Sequence, residues 1–402
     1  MKKYLSNIFI LVAVIIGVVS GYSGSNIVFI TASSVSEIFI SFLRLLSLPI
    51  IFLSITSTLS GMKSLEETKK LTGKVLKYTI LTTIIAASTA LVLFVIIDPV
   101  NTALVAGDAA TEIPKQGSYL SYVLDIVPDN VVKAFSDNNV LGVAFMAAIL
   151  GLAAVTLPEK NRKVLHSLFS SLFAALLKIT SVVITVIPFG IWAFTTLFVK
   201  DMAKNTAFAH SILLYVICVV GANLIQGFIV LPLLLKYKGL HPGRIARAMS
   251  PALLIAFFTK SSNAALPTTM ECAQENAGVS QKVASFSLPM CSVINMNGCA
   301  AFIITTVLFV SMSAGMAYSI PEMIAWIFIA TLAAIGNAGV PMGCYFISSA
   351  FLIGMNAPLY IMGIILPIYT LIDMIETALN VWSDSCVTTI VDKELLSVTS
   401  DQ

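Results

Sequence analysis

The segment of residues 367–390 constrains the fold most, because it places three carboxylates inside an otherwise apolar stretch. A charged side chain at the centre of a membrane helix costs about 2.5–3.5 kcal/mol on an insertion scale, so three carboxylates facing lipid are excluded. The polar residues recur every three or four positions and share one face of a helix; they are Asp373, Glu376, Thr377, Asn380 and Asp384. This face therefore has to line a polar cavity, and such residues usually bind an ion or a substrate.

The composition places the whole chain in a membrane. Of its 402 residues 58% are hydrophobic and only 11% are charged, whereas soluble domains carry roughly 25% charged residues. An all-α polytopic membrane protein is predicted, embedded in the lipid bilayer. The net charge of +3 gives no basic patch of the kind that binds nucleic acid, and no nucleic-acid partner is expected.

The cysteines and histidines predict no metal centre. Six cysteines are scattered along the chain without a Cys-x-x-Cys pair, and the three histidines lie far apart. Neither a disulfide framework nor a zinc site is therefore predicted.

The apolar runs predict the spans. Residues 4–19 could be a signal peptide, but further spans follow at once, which favours a first membrane helix. Other spans are predicted near 35–59, 76–97, 165–199 and 208–235. The stretch 119–157 is interrupted near 128–130 and 137–139.

The pattern changes after Gly243, where apolar pieces become short and interrupted. Breaks fall at 259–263, 295–298 and 336–341, and the first and last share the pattern Asn-Ala-small-aliphatic-Pro. Short, Gly- or Pro-interrupted segments in matching places of two halves indicate an inverted repeat and a transporter binding site. Non-helical backbone at membrane depth is tolerated only where it lines a cavity or packs in protein.

Lysine and arginine set the predicted orientation. With both termini in the cytoplasm and the interrupted segments as re-entrant hairpins, most basic residues outside the membrane fall on the cytoplasmic side. Two unrelated loops between ordinary spans would leave the ends of the chain on the same side, so the charge pattern alone does not establish the hairpins.

Four motifs together carry a family resemblance: KSSNAALP at 260–267, NMNG at 295–298, GNAGVP at 336–341 and the final polar helix. Over nearly its whole length the chain resembles the dicarboxylate/amino acid:cation symporter family, also called the glutamate transporter family. The resemblance implies eight transmembrane helices, two re-entrant helical hairpins with inverted repeats, and a homotrimer in the inner cell membrane. It also implies an elevator-like movement of a transport domain (76–98 and 206–402) against a scaffold (1–75 and 99–205).

The resemblance further implies the site residues. Matching positions for binding the amino-acid substrate are Ser261, Ser262, Val340, Asp373, Glu376, Thr377 and Asn380. Matching positions for sodium are Thr82, Thr83, Cys291, Asn295, Asn297, Asn380 and Asp384. Independently of the resemblance, amide and carboxylate oxygens are ligands suited to a hard cation.

Two departures from the family pattern bear on the cargo. Carriers of acidic amino acids in this family have Arg where this chain has Glu376, and Arg grips a side-chain carboxylate with two hydrogen bonds. The string from Glu376 to Asn380 resembles the bacterial sodium/serine-threonine symporters, so a small neutral amino acid is predicted. An acidic or cationic amino acid remains the alternative. Asn297 stands where the family often has an Asp sodium ligand, which puts one cation site in question.

Other classes of protein lack their motifs. The chain has no Walker-type phosphate loop, no H-E-x-x-H and no G-x-S-x-G, so neither an ATP-driven pump nor a hydrolase is predicted. An aspartyl enzyme would need Asp373 and Asp384 to pair, but eleven residues of helix separate them by about 16 Å. A carrier rather than an enzyme is therefore expected.

Overall fold

The computed structural model describes residues 2–61, 69–100, 127–137, 139–202, 207–335, 337 and 342–400. All regular elements in these ranges are helical. The first six are α1 (Lys2–Tyr22), α2 (Asn26–Ser60), α3 (Lys69–Ile97), α4 (Val131–Ser136), α5 (Val140–Thr156) and α6 (Glu159–Met202). The middle ones are α7 (Ala207–Ile225), a π-helical turn (Gln226–Val230), α8 (Leu231–Tyr237), α9 (Pro242–Thr259) and α10 (Ser262–Glu271), which a second π-turn (Cys272–Asn276) extends. The last five are α11 (Gln281–Ile294), α12 (Asn297–Ser313), α13 (Ile320–Ile335), α14 (Gly343–Gly354) and α15 (Tyr360–Ser400).

Five stretches within these ranges are long and apolar enough to cross a membrane. They are Leu71–Ile97, Glu159–Val183, Ala209–Tyr237, Gln281–Ser313 and Tyr360–Leu395. The all-helical, apolar architecture predicted from the sequence is thus confirmed.

The predicted interruptions coincide with helix ends. Asn130 caps α4 by accepting bonds from the backbone N–H groups of Val132 and Lys133, and Asn139 caps α5 by accepting from Gly142. Such side chains satisfy N–H groups that a first helical turn leaves free. The first of the apolar pieces expected after Gly243 belongs to the longer helix α9, which starts at Pro242 because proline fits the first turn of a helix. The π-turn beginning at Gln226 was not predicted.

The helix α12 forms the centre of the C-terminal half. Nearly all its residues are buried, and α3, α7, α13, α14 and α15 pack around it. In the N-terminal half α1 and α2 pack on the long helix α6, and α2 also packs on α5. The arms of the first interrupted segment, α9 and α10, pack directly on each other, whereas α13 packs on α12 and α3, and α14 packs on α2 and α12.

Candidate functional site

A small polar cavity lies where the three interruptions of the C-terminal half meet. The turn between α9 and α10, the break between α11 and α12, and the segment between α13 and α14 all reach it, and α15 closes one wall. The lining residues are Lys260, Ser261, Ser262, Met296, Cys299, Asn337, Asp373, Glu376, Thr377 and Asn380. The structure thus brings together all the predicted substrate residues except Val340, which lies outside the described residues.

The wall formed by α15 carries two buried carboxylates. Asp373 is 7% exposed and Glu376 only 1%. One oxygen of Glu376 accepts a long bond of 3.4 Å from the hydroxyl of Tyr369, and no group among the described residues donates a hydrogen bond to its Oε1. A buried carboxylate without partners is costly, so this oxygen is poised to accept a bond from a bound group.

A glycine lets α12 approach this wall. A Cβ added to Gly298 would lie 2.9 Å from the Cα of Glu376. The backbone N–H of Gly298 donates a 2.8 Å bond to Oδ1 of Asn380, which orients that amide. Close packing of backbone against backbone therefore fixes the position of both side chains.

The first tip is a tight turn. Lys260 ends α9 in the left-handed conformation, with φ of 53°. Ser261 then caps α10, its hydroxyl accepting a 3.2 Å bond from the N–H of Ala264. Ser261 and Ser262 at the start of α10 line the cavity, and helix N-termini favour an anion such as a carboxylate.

A second polar cluster lies next to the cavity and contains most of the predicted sodium residues. We call it the oxygen group; its members are Thr82, Asn295, Asn297, Ser383 and Asp384. Thr82 donates a 3.2 Å bond to Oδ1 of Asn295, and Asn295 donates bonds of 2.9 and 3.0 Å to Ser383 and Asp384. All four side chains are at most 2% exposed. This set of hydroxyl, amide and carboxylate oxygens has the chemistry of a hard-cation site.

The remaining sodium candidates stand around this group. Thr83 is buried and donates to the backbone oxygen of Thr79. Cys291 lies 4.0 Å from the hydroxyl of Thr79. Asn380 lines the substrate cavity instead. It is linked to the oxygen group through the backbone at the start of α12, where the N–H of Gly298 donates a hydrogen bond to Oδ1 of Asn380.

Asn297 enters the group with its nitrogen. Its Nδ2 donates to Oδ1 of Asn295 at 2.8 Å, and also to the hydroxyls of Thr82 and Ser383. Its Oδ1 is turned away and accepts a 2.7 Å bond from Gln226. In this arrangement Asn297 donates to the oxygens that a cation would need and offers no oxygen itself.

One expectation about the cysteines was wrong. Cys299 and Cys344 form a disulfide in the structure, although no disulfide was predicted. The two residues are 45 positions apart and belong to no recognisable motif. They meet because the N-terminal ends of α12 and α14 converge beside the cavity.

Six contributors to the site were not among the predicted site residues. Gln226 lies within a run predicted simply as membrane helix, and Ser383 lies on the polar helix between two predicted positions. The other four line the cavity and are Lys260, Met296, Cys299 and Asn337. A glutamine in the middle of the apolar run 208–235 was the available signal for Gln226, because buried amides in a membrane segment seek partners.

The far end of α15 is tied to its neighbours by charge. Glu394 pairs with Lys74 of α3 and with Lys238 just after α8, at 2.5 and 2.7 Å, and it also accepts a hydrogen bond from Tyr78. The hydrogen bonds to Glu394 and Tyr78 raise the pKa of Lys238. These contacts hold α3, α8 and α15 together.

Comparison with known proteins gives a family. The model of the sodium:dicarboxylate symporter family matches residues 7–394. The chain is 26% identical to excitatory amino acid transporter 3 of Oryctolagus cuniculus, over 98% of this chain and 86% of the relative. It is 26% identical to neutral amino acid transporter A of Homo sapiens (87% and 73% covered) and to the L-cystine uptake protein TcyP of Bacillus cereus (85% and 77% covered). The relatives are transporters, not enzymes, and the chain belongs to the sodium:dicarboxylate symporter family of sodium-coupled amino acid transporters.

Proposed function

We propose that this protein is a sodium-coupled symporter of small neutral amino acids, with serine and threonine as its preferred cargo. The observation that carries the proposal is Oε1 of Glu376 in the cavity wall, to which no residue in the described part of the chain donates a hydrogen bond. A carboxylate oxygen accepts a hydrogen bond from a substrate hydroxyl and repels a substrate carboxylate. The neutral amino acid transporter among the relatives supports the same class of cargo.

The common part of an amino acid fits the rest of the cavity. Asp373 offers a negative charge to the α-ammonium group. Ser261, Ser262 and the N-terminal turn of α10 offer N–H and O–H groups to the α-carboxylate, together with the amide of Asn380. Thr377 lines the side-chain pocket, and the backbone near Val340 closes over the bound substrate.

The adjoining oxygen group is the proposed sodium site. Thr82, Asn295 and Asp384 supply oxygens to the ion, with Ser383 beside them and Thr83 and Cys291 at the edge. Asn380 joins this site to the substrate cavity. Asn297 contributes an oxygen only if its amide turns over, so we assign it a positioning role.

The fold is proposed to work as an elevator. Eight spans and two re-entrant hairpins, α9–α10 and α13–α14, form the chain, and three chains form a trimer in the inner cell membrane with their termini in the cytoplasm. Residues 76–98 and 206–402 move against a scaffold of 1–75 and 99–205. The convergence of both interrupted segments on one cavity supports the re-entrant arrangement, because such tips need a cavity or protein around them.

Uptake into proteoliposomes tests the function. Labelled serine, threonine, alanine, cystine, glutamate and lysine are offered with an inward sodium gradient and with potassium in its place. We expect saturable, sodium-dependent uptake of serine and threonine that glutamate does not compete. Competition by glutamate as strong as by serine contradicts the proposal, and preferred lysine uptake would assign Glu376 to a cationic side chain.

A further inference from the structure

The disulfide cysteines lie beside a carboxylate that needs a partner. The sulfur atoms of Cys299 and Cys344 and a carboxylate oxygen of Glu376 all lie within 4.8 Å of one another. None of the three residues is more than 2% exposed. They come from the starts of α12 and α14 and from the middle of α15, so three helices fix the group.

Nearby amides direct their N–H groups at the sulfurs. Nδ2 of Asn337 lies 2.9 Å from Sγ of Cys299 and 3.5 Å from Sγ of Cys344, and Nδ2 of Asn380 lies 3.5 Å from Sγ of Cys299. Hydrogen bonds of this kind stabilise thiolates and orient them as metal ligands. Within the described ranges no group donates a hydrogen bond to Oε1 of Glu376, so a cation bound there would offset a buried negative charge.

We propose that, once the disulfide is reduced, Cys299, Cys344 and Glu376 bind one thiophilic divalent metal ion of the zinc type. Reduction adds two electrons and two protons to the disulfide and gives two thiols. A phosphine reductant supplies the electrons and becomes a phosphine oxide, taking its oxygen from water. Metal binding then releases the two thiol protons.

The donor set fits this class of metal and no harder one. Two sulfurs and one carboxylate make a three-ligand site, and zinc-type ions accept such sets in tetrahedral geometry with the fourth position open. Cys299 and Glu376 both line the substrate cavity, so a metal ion held by them would adjoin a bound substrate. On the proposed function, the metal and serine therefore exclude each other, whereas metal binding itself depends only on the three ligands.

A cadmium titration of the purified protein tests the site without transport. The protein in nanodiscs is reduced with a phosphine, freed of reductant, and titrated with Cd²⁺ while the ultraviolet thiolate-to-metal absorption is recorded. We expect saturation at one equivalent and loss of the band in Cys299→Ser and in Cys344→Ser. Glu376→Gln is expected to weaken binding by about tenfold or more. Cys272→Ser, which removes a buried cysteine elsewhere on the chain, serves as the matched control and should retain the band.

A second measurement needs no variant. Bound Cd²⁺ should protect Cys299 and Cys344 of the reduced wild-type protein from re-forming their disulfide in a mild oxidant, as read by peptide mass spectrometry, and complete reoxidation should abolish the absorption. An unprotected pair, or an undiminished band in both serine variants, overturns the metal site. Failure of serine to displace the metal, with the band intact, would instead count against the proposed substrate site.

Discussion

Gln226 donates a 2.7 Å hydrogen bond to Oδ1 of Asn297 and a 3.0 Å bond to the backbone oxygen of Thr82. The first bond decides which end of the Asn297 amide enters the proposed sodium site. Gln226 begins the π-turn after α7. Its side chain reaches the start of α12, next to the break between α11 and α12. A residue outside the predicted site thereby sets the orientation of a residue inside it.

The Gln226→Leu substitution should disturb sodium binding. It leaves the buried Oδ1 of Asn297 without a donor, at a cost of about 1–3 kcal/mol, and frees the amide to turn over. We expect lower thermal stability and a sodium half-saturation changed severalfold. Asn223→Leu is the matched control, since neither polar atom of this buried amide in the preceding helix α7 has a hydrogen-bond partner in the part of the chain that the structure describes. Equal effects of the two substitutions would contradict the role of Gln226.

The Asp384→Asn substitution should weaken the binding of sodium to the proposed site. An amide keeps one oxygen but loses the charge that a hard cation prefers, so we expect the sodium half-saturation to rise by about tenfold, following the effects seen at other metal sites. Asp392→Asn on the same helix is the control, because Asp392 accepts bonds from Ser280 away from the oxygen group. An unchanged sodium dependence at normal expression argues against Asp384 as a ligand.

Glu376→Gln should alter the choice between serine and alanine. A hydrogen bond to a charged group contributes about 1.5–3 kcal/mol, so we expect the preference for serine over alanine to fall by about tenfold. Glu376→Arg should impair serine uptake and admit acidic amino acids weakly, since Arg pairs with carboxylates. Competition assays over a range of pH give both answers. A wild-type serine-to-alanine ratio in Glu376→Gln at every pH would move the search for the specificity residue to Thr377, which also lines the cavity.

Gly298→Ala should damage the cavity through packing alone. The added methyl group would meet the backbone of Glu376 at 2.9 Å, and overpacking of this kind costs about 1–3 kcal/mol. We expect lower thermal stability together with weaker serine binding, measured by calorimetry. Gly73→Ala is the control, because no atom of the described residues lies within 4 Å of its Cβ position. Normal serine affinity in Gly298→Ala would mean that α12 and α15 can separate without cost.

The sequence predicted the parts of the fold that hydropathy and helix chemistry record locally. Breaks at 128–130, 137–139, 259–263 and 295–298 fall at helix ends because Asn, Pro and Gly act on the turn in which they stand. The polar face of α15 was predictable because carboxylates in an apolar helix cannot face lipid and have to line a polar cavity. The meeting of Cys299 with Cys344 was not, since it depends on two distant helix ends converging. The orientation of Asn297 was hidden for a similar reason, because an amide has two ends and only its neighbours decide between them.

Residues 295–298 contact both proposed sites within a single turn of backbone: Asn295 and Asn297 bond to the oxygen group, and Gly298 bonds to Asn380 in the cavity. If the bound ion raises the affinity for the amino acid by some factor, thermodynamic reciprocity requires the bound amino acid to raise the affinity for the ion by the same factor. Each tenfold step in ion concentration across the membrane stores about 1.4 kcal/mol per ion. The short segment 295–298 would thus be the place where the free energy of the sodium gradient is coupled to accumulation of the amino acid.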